Sequence, residues 1–348
     1  MIAAPTMYTK GYAAPETTRI YDRTYELCQK SGDRAHLIQA LGGVSSYYIT
    51  RGEVSRGLEL AQMMLEPAMG GGDPGAVVEA NRLIGLHLVF AGRFTEALTY
   101  LDRVPEFFDS AQRRTWALTY GQDHLMSMLV FKSMALAALG HIDEARRCCV
   151  EAAEEGSKSG HAFSQAYALT LTLPVLYYLD EVEVVHEQSE RAIAVGIKHS
   201  LASFVACAEF YRGWAHTRTA ASGDGIAQMR SGIENVRSSG CHLYLPAFFT
   251  ILADSLGRAC RVEEGLELVE RSLEQVRNWG DWAFRVRHLP GEGGPAAGQS
   301  AVRSGCRGKG LWARHRGRPR STGKNLGVES SNRIGPSLAQ SGQKTACP

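Results

Sequence analysis

The chain has 348 residues, 44% hydrophobic and 21% charged, ordinary for a soluble globular protein. Its richest apolar run, LTLTLPVLYYL at 169–179, is too short for a membrane span and carries Pro174, and the first residues lack the basic and apolar segments of a secretory signal. The net charge of +2 hides an asymmetry: residues 1–280 hold 33 acidic and 26 basic side chains, and the remainder holds 3 acidic and 12 basic.

Residues 1–16 read as an irregular lead-in, with Pro5 and Pro15 breaking any helix, although Pro15 suits a first turn. Thr17 to Ser31 places Ile20, Tyr21, Tyr25, Leu27 and Cys28 at helical spacing, as the second helix of a pair whose first is missing. Gly32-Asp33 then ends one helix and caps the next. Six helix pairs follow in the same pattern. HLIQALGGVSSYYITRGEVSRGLELAQMML is the first, and Asp73 to Ser110, turning at Ala91-Gly92-Arg93, is the second. HLMSMLVFKSMALAALGHIDEARRCCVEAA, the stretch around LTLPVLYYLDEVEVVHEQSERAI, LASFVACAEFYRGWAHTRTAASGDGIAQMRSGI and LYLPAFFTILADSLGRACRVEEGLELVERSL complete the set. Gly160, Gly240 and Gly280 fall at second-helix ends, at multiples of about forty residues, a period typical of helical repeats. Residues 17–284 are therefore expected to be an all-α solenoid of about six and a half helix pairs.

Small residues recur where two helices must approach closely: Ser45, Gly85, Ser133, Ala215 and Ala253 in first helices. Gly57, Ala97, Ala145, Ala227 and Gly265 answer them twelve residues later. Gly52, Gly92 and Gly140 mark the intervening turns, with Asp180 in the glycine position of the fourth pair. This spacing resembles the tetratricopeptide repeat, with a longer unit and a degenerate aromatic signature. TKGYAAPETTRIYDRTYELCQKSGD, GDPGAVVEANRLIGLHLVFAGRFTEAL, LTYGQDHLMSMLVFKSMALAALG and the stretch from GIAQMRSGI to VEEGLELVERSLEQV resemble the repeat region of large bacterial signalling ATPases. In those proteins an adenylate-cyclase or other effector module precedes an ATPase domain, and the repeats follow it. The resemblance spans about Thr9 to Phe284 and implies a cytoplasmic sensor or regulatory arm that binds a protein partner or its own effector and ATPase domains. The cyclase and ATPase modules are absent from this sequence, so their activities do not carry over.

Signals for chemistry are sparse. Gly293 to Ser300 has the glycine spacing of a phosphate loop, but Gln299 stands where lysine is needed and no strand precedes it. The eight cysteines show no Cys-x-x-Cys pair and no histidine at zinc spacing, as expected for reduced thiols in the cytoplasm. Glu151 to Glu155 and Glu263-Glu264 read as solvated helix faces. No cofactor, metal or catalytic activity is expected. The expected function is protein binding on a concave face lined by first helices, with Gln39, Ser46, Glu79, Arg82, Tyr167, Tyr177, Glu209, Arg212 and His216 as the groove candidates.

Residues 285–348 are a different kind of sequence, a basic Gly/Arg/Ser-rich tail expected to be disordered. Arg316-Gly317-Arg318-Pro319-Arg320 matches the core of an AT-hook, which would make the chain a DNA-associated adaptor. A frameshift is the preferred account, which makes nucleic acid an unexpected partner. Back-translated and read from the second base of each codon, residues 324–348 can encode KTWELRAAIGLARLWRNQGKRQPA, an amphipathic helix and turn resembling the closing repeat of the same family. In the same frame residues 300–324 can encode the helical AEAAAEAKAFGHAIEVAQGAQAK, and residues 288–298 can give YRVKGDLLLA. On that reading the chain is a fragment with uncapped repeat ends, prone to self-association.

Overall fold

In the computed structural model the described residues are 15–219 and 222–278, and they form an all-α helical-repeat array with no strand among them. A leading helix α1 (Pro15–Ser31) packs on α2 (Arg34–Thr50). The helix thus begins at Pro15, inside the expected lead-in, because proline's missing N–H costs nothing in a first turn. The hairpins follow in order. α2 pairs with α3 (Val54–Met63) and its short continuation α4 (Leu65–Gly71), and α5 (Pro74–Phe90) with α6 (Phe94–Leu101) and α7 (Val104–Phe107). An extra helix, α8 (Arg113–Tyr120), precedes α9 (His124–Leu139), which pairs with α10 (Ile142–Lys158). The fourth first helix is broken into α11 (Ala162–Leu171) and α12 (Leu173–Tyr178) and packs on α13 (Val182–Lys198). α14 (Ala202–Thr217) pairs with α15 (Ser222–Ser238), and α16 (Leu245–Arg258) with α17 (Val262–Asn278).

Local chemistry sets these boundaries. Asp33, Asp73 and Asp123 each cap a first helix by accepting a hydrogen bond from a first-turn backbone N–H, at His36, Gly75 and Met126 respectively. The turns of the first three hairpins place Gly52, Gly92 and Gly140 at φ of 88°, 69° and 86°, where a side chain is strained. Asp180 occupies the equivalent position of the fourth hairpin at φ 59°, and its carboxylate is held 3.2 Å from Arg218. Aspartate is among the few residues that tolerate this conformation.

The first helices lie inside. α5 is buried at every position from Gly75 to Phe90, because it is walled by helices on all sides. Second helices such as α10 and α13 bury one face, with Ala145, Cys149, Ala152, Val185 and Ala192 inward and charged residues outward. Close approach within a hairpin follows the expected pair in the first hairpin, where Ser45 donates through Oγ to the Gly57 carbonyl at 2.9 Å. In the second, a Cβ on Gly85 would lie 3.5 Å from the Ala97 carbonyl oxygen but would strike the Leu101 side chain at 2.6 Å. The fifth hairpin departs from expectation. Its contact is Gly213 against Gly225, and Ala227 is exposed. The spacing of twelve is kept but shifted by two residues, since backbone against backbone at this point leaves room only for glycine on both sides.

The array winds until it meets itself. The N–H groups of His242 and Leu243, in the segment entering α16, donate to the Thr50 carbonyl at the end of α2, at 2.8 and 3.1 Å. The seam joins the first hairpin to the sixth, so the first helices surround a bore rather than line an open groove.

Candidate functional site

Arg82 is the pivot of the bore. It is 1% exposed, and its guanidinium grips Glu79 one turn earlier on α5 through Nε at 2.8 Å and Nη2 at 2.7 Å. Nη1 also donates to Ser127 Oγ on α9 at 3.3 Å. With the Gln122 amide oriented to present its oxygen, that oxygen accepts from both terminal nitrogens of Arg82, at 2.8 and 2.9 Å. Glu79 in turn lies 3.0 Å from His124 Nε2. Burial by itself would raise the Glu79 pKa, but Arg82 and His124 outweigh it and hold the carboxylate below its usual range. Every N–H of Arg82 thus has a partner. The pair is a buried, neutralised strut between α5 and α9, and its charge is not available to a ligand.

Around this strut sit two chambers. The first, of about 120 Å³, is bordered by Ser46, Arg82, Phe131, Phe163, Tyr167 and Cys207 among others. The second, of about 160 Å³, lies towards the turn end of the first helices, against Met134, Val175, Tyr177, Tyr211 and Ile251. Phe90, Leu243 and Tyr244 border both. Phe90 and Tyr244 meet edge-on with ring centroids 6.2 Å apart, forming the partition. Burial pushes Tyr167 up to about 12 and Tyr244 well above the usual phenol range, so both remain neutral hydroxyls. The thiol of Cys207 is raised well above its usual range by burial, and that of Cys241 to about 12, which leaves both unreactive as nucleophiles.

The groove candidates divide by this geometry. Ser46, Arg82 and Tyr167 do line the bore, but Glu79, Arg82 and Tyr167 are buried and cannot face a protein partner, which corrects the expectation of an open groove. Tyr177 borders the second chamber and packs on Trp214 at 4.9 Å. Arg212 and His216 turn away from the bore towards α13, where Arg212 meets Glu190 at 3.2 Å and His216 Nε2 lies 3.2 Å from His186 Nε2. Gln39 and Glu209 are half-buried and border neither chamber. Sequence reasoning did not single out Phe90, Gln122, His124 or Tyr244. Of these, only Gln122-Asp123-His124 carried a local signal, as a polar cluster at the start of an otherwise apolar helix.

One arrangement superficially suggests catalysis. His161 Nδ1 lies 2.9 Å from Ser164 Oγ, with Asp123 nearby. Ser164 is fully buried, however, and its oxygen accepts the Asp123 backbone N–H at 2.8 Å. The Asp123 carboxylate is committed to the Met126 N–H and to Arg113 of α8. Arg113 also reaches Glu155 at 2.6 Å, so this cluster locks three helices together. Glu155 belongs to that lock and is not part of a purely solvated face. No group of three or more His, Cys, Asp or Glu side chains placed to hold a metal ion occurs among the described residues. No helix among them is long and apolar enough to cross a membrane.

The lead-in up to residue 14, the glycine-rich run Gly293 to Ser300, the basic tail with its Arg316 to Arg320 motif and the frameshift reading lie outside the described residues. No family model matches the chain. It is similar, at 26% identity over 113 residues, to an uncharacterized protein of Rhizobium meliloti (strain 1021). The matched segment covers 32% of this chain and 11% of that protein, so the chain corresponds to a small part of a much longer relative.

Proposed function

We propose that this chain is the regulatory helical-repeat arm of a multidomain signalling protein, sensing a ligand in its bore and contacting protein partners on its outside. The observation that carries the reading is the seam at Thr50. By joining the first hairpin to the sixth, it narrows the first-helix face around two partly open chambers of small-molecule size, while second helices and hairpin edges stay outside. Outward Val150, Val184 and Ile197 are apolar and more than two-fifths exposed on α10 and α13, and they offer contact points for a protein. Similarity to a short segment of a far longer protein also supports a part that works within a larger assembly. The partner domain we propose, on the resemblance of the repeats, is an ATPase or cyclase module. The arm itself does no chemistry.

The test starts from the transcript, which identifies any ATPase or cyclase frame joined to this one. That domain is then purified and its turnover measured as the repeat chain is titrated in. A saturable change in turnover that weakens on Val184→Asp and Ile197→Asp supports the reading. Turnover that stays flat through a large excess of the chain, or a transcript with no such frame, overturns it.

A further inference from the structure

The chambers have a chemical character that narrows what can occupy them. An apolar cavity of about 150 Å³ has room for a benzene-sized molecule. At about 120 and 160 Å³, each chamber matches one small ring system. Their walls are mostly rings and aliphatic chains: Leu86, Phe131 and Phe163 in the first, and Met134, Val175 and Ile251 in the second. Among the described residues, Arg82 is the only ionisable cation bordering either chamber, and its five N–H groups are already taken by Glu79, Gln122 and Ser127. An anionic ligand would find no donor charge, and a cationic one would face Arg82 without reaching Glu79. Either would lose its hydration without replacement, which is costly in an apolar site.

We propose that the bore is a binding site for an uncharged, planar, apolar small molecule of one or two rings, held against Phe90 and Tyr244. The ring faces supply edge and stacking contacts, and the surrounding hydroxyls supply no more than single neutral hydrogen bonds. The buried ion pair acts on specificity by exclusion: it fixes α5 to α9 and leaves the chamber without usable charge. This deepens the sensor reading, resting on it only in treating the occupant as a signal. Binding is measured on the isolated chain, so it stands or fails separately from any effect on an enzyme.

The experiment is a matched pair of probes, indole and indole-3-acetate, titrated into the full chain at neutral pH and followed by ligand-observed saturation-transfer NMR and by thermal melting. The expected result is saturable indole binding that raises the melting temperature, with indole-3-acetate at least tenfold weaker. Ser203→Trp puts a large side chain on the wall of the first chamber and Ala138→Trp on that of the second, both from half-buried positions. Together they should abolish the indole signal with helical content unchanged. Where tryptophan prevents folding, Ser203→Leu and Ala138→Leu make the same comparison. Equal or tighter binding of the carboxylate overturns the proposal, as does indole binding that survives both fillings or never saturates.

Discussion

The Thr50 carbonyl accepts the backbone N–H of His242 at 2.8 Å, joining the end of the first hairpin's inner helix to the segment that enters the sixth. Solenoid repeats ordinarily contact only their neighbours, and their stability sums along the array. A seam changes that arithmetic, because the first and sixth hairpins now support each other. His242→Pro removes the donor without deleting a core side chain. A single hydrogen bond contributes about 1 kcal/mol, so a drop in Tm of roughly 2–4 °C is expected. Hydrogen exchange should also quicken in α2 and around 241–244 together. Exchange that quickens only beside the substitution would show that the seam does not couple the two ends.

The Arg82–Glu79 strut should behave as a unit. Arg82→Met leaves a carboxylate buried at 4% exposure with only His124 beside it, and a loss of about 3–5 kcal/mol is expected for such a broken pair. Glu79→Gln, which strands the guanidinium instead, should cost a similar amount. The double variant Glu79→Leu/Arg82→Met should recover much of the loss, since two apolar side chains of similar volume remove the desolvation cost of both charges. Urea unfolding of the three variants measures the coupling, and strictly additive losses would refute it.

His87 makes the fold sensitive to acid. Its ring is fully buried, with Nδ1 2.7 Å from the Leu83 carbonyl and Nε2 3.2 Å from Ser45 Oγ, and burial lowers its pKa from 6.5 to about 4. Between those values the unfolded chain binds a proton that the folded chain refuses, so stability should fall as pH drops from 6.5 towards 4. The loss attributable to His87 is on the order of 3 kcal/mol. His87→Gln should flatten that part of the pH profile, even if it lowers stability at neutral pH. A profile of unchanged slope in the variant would place the acid sensitivity elsewhere.

The fifth hairpin provides a test of packing register. A Cβ on Gly213 would lie 2.8 Å from the Gly225 carbonyl oxygen, which is backbone and cannot swing aside. Gly213→Ala should therefore cost about 1–3 kcal/mol through forced separation of α14 and α15. Ala227→Leu, at the exposed position two residues further on, should change stability by less than about 0.5 kcal/mol. Chemical denaturation of both distinguishes the observed register from the one read off the sequence.

What the sequence determined by itself is everything governed by local chemistry. Helix starts are set by Asp33, Asp73 and Asp123, whose carboxylates satisfy the N–H groups that a new helix leaves unpaired. Turns are set by Gly52, Gly92 and Gly140, whose left-handed backbone other residues resist. The twelve-residue small-to-small spacing marks where the first two hairpins close, at Ser45 on Gly57 and Gly85 near Ala97, and recurs in the fifth with a two-residue shift, where Gly213 meets Gly225 in place of Ala215 and Ala227. Curvature belongs to a different level. The small rotation between successive hairpins is set by side-chain volumes at their interfaces, and only its sum over five steps brings His242 to Thr50. That sum converts an expected open groove into a bore, buries Glu79, Arg82 and Tyr167, and assembles Phe90 and Tyr244 into one partition. Residues so far apart in the chain share no local pattern, so tertiary structure alone decided which side chains form the site.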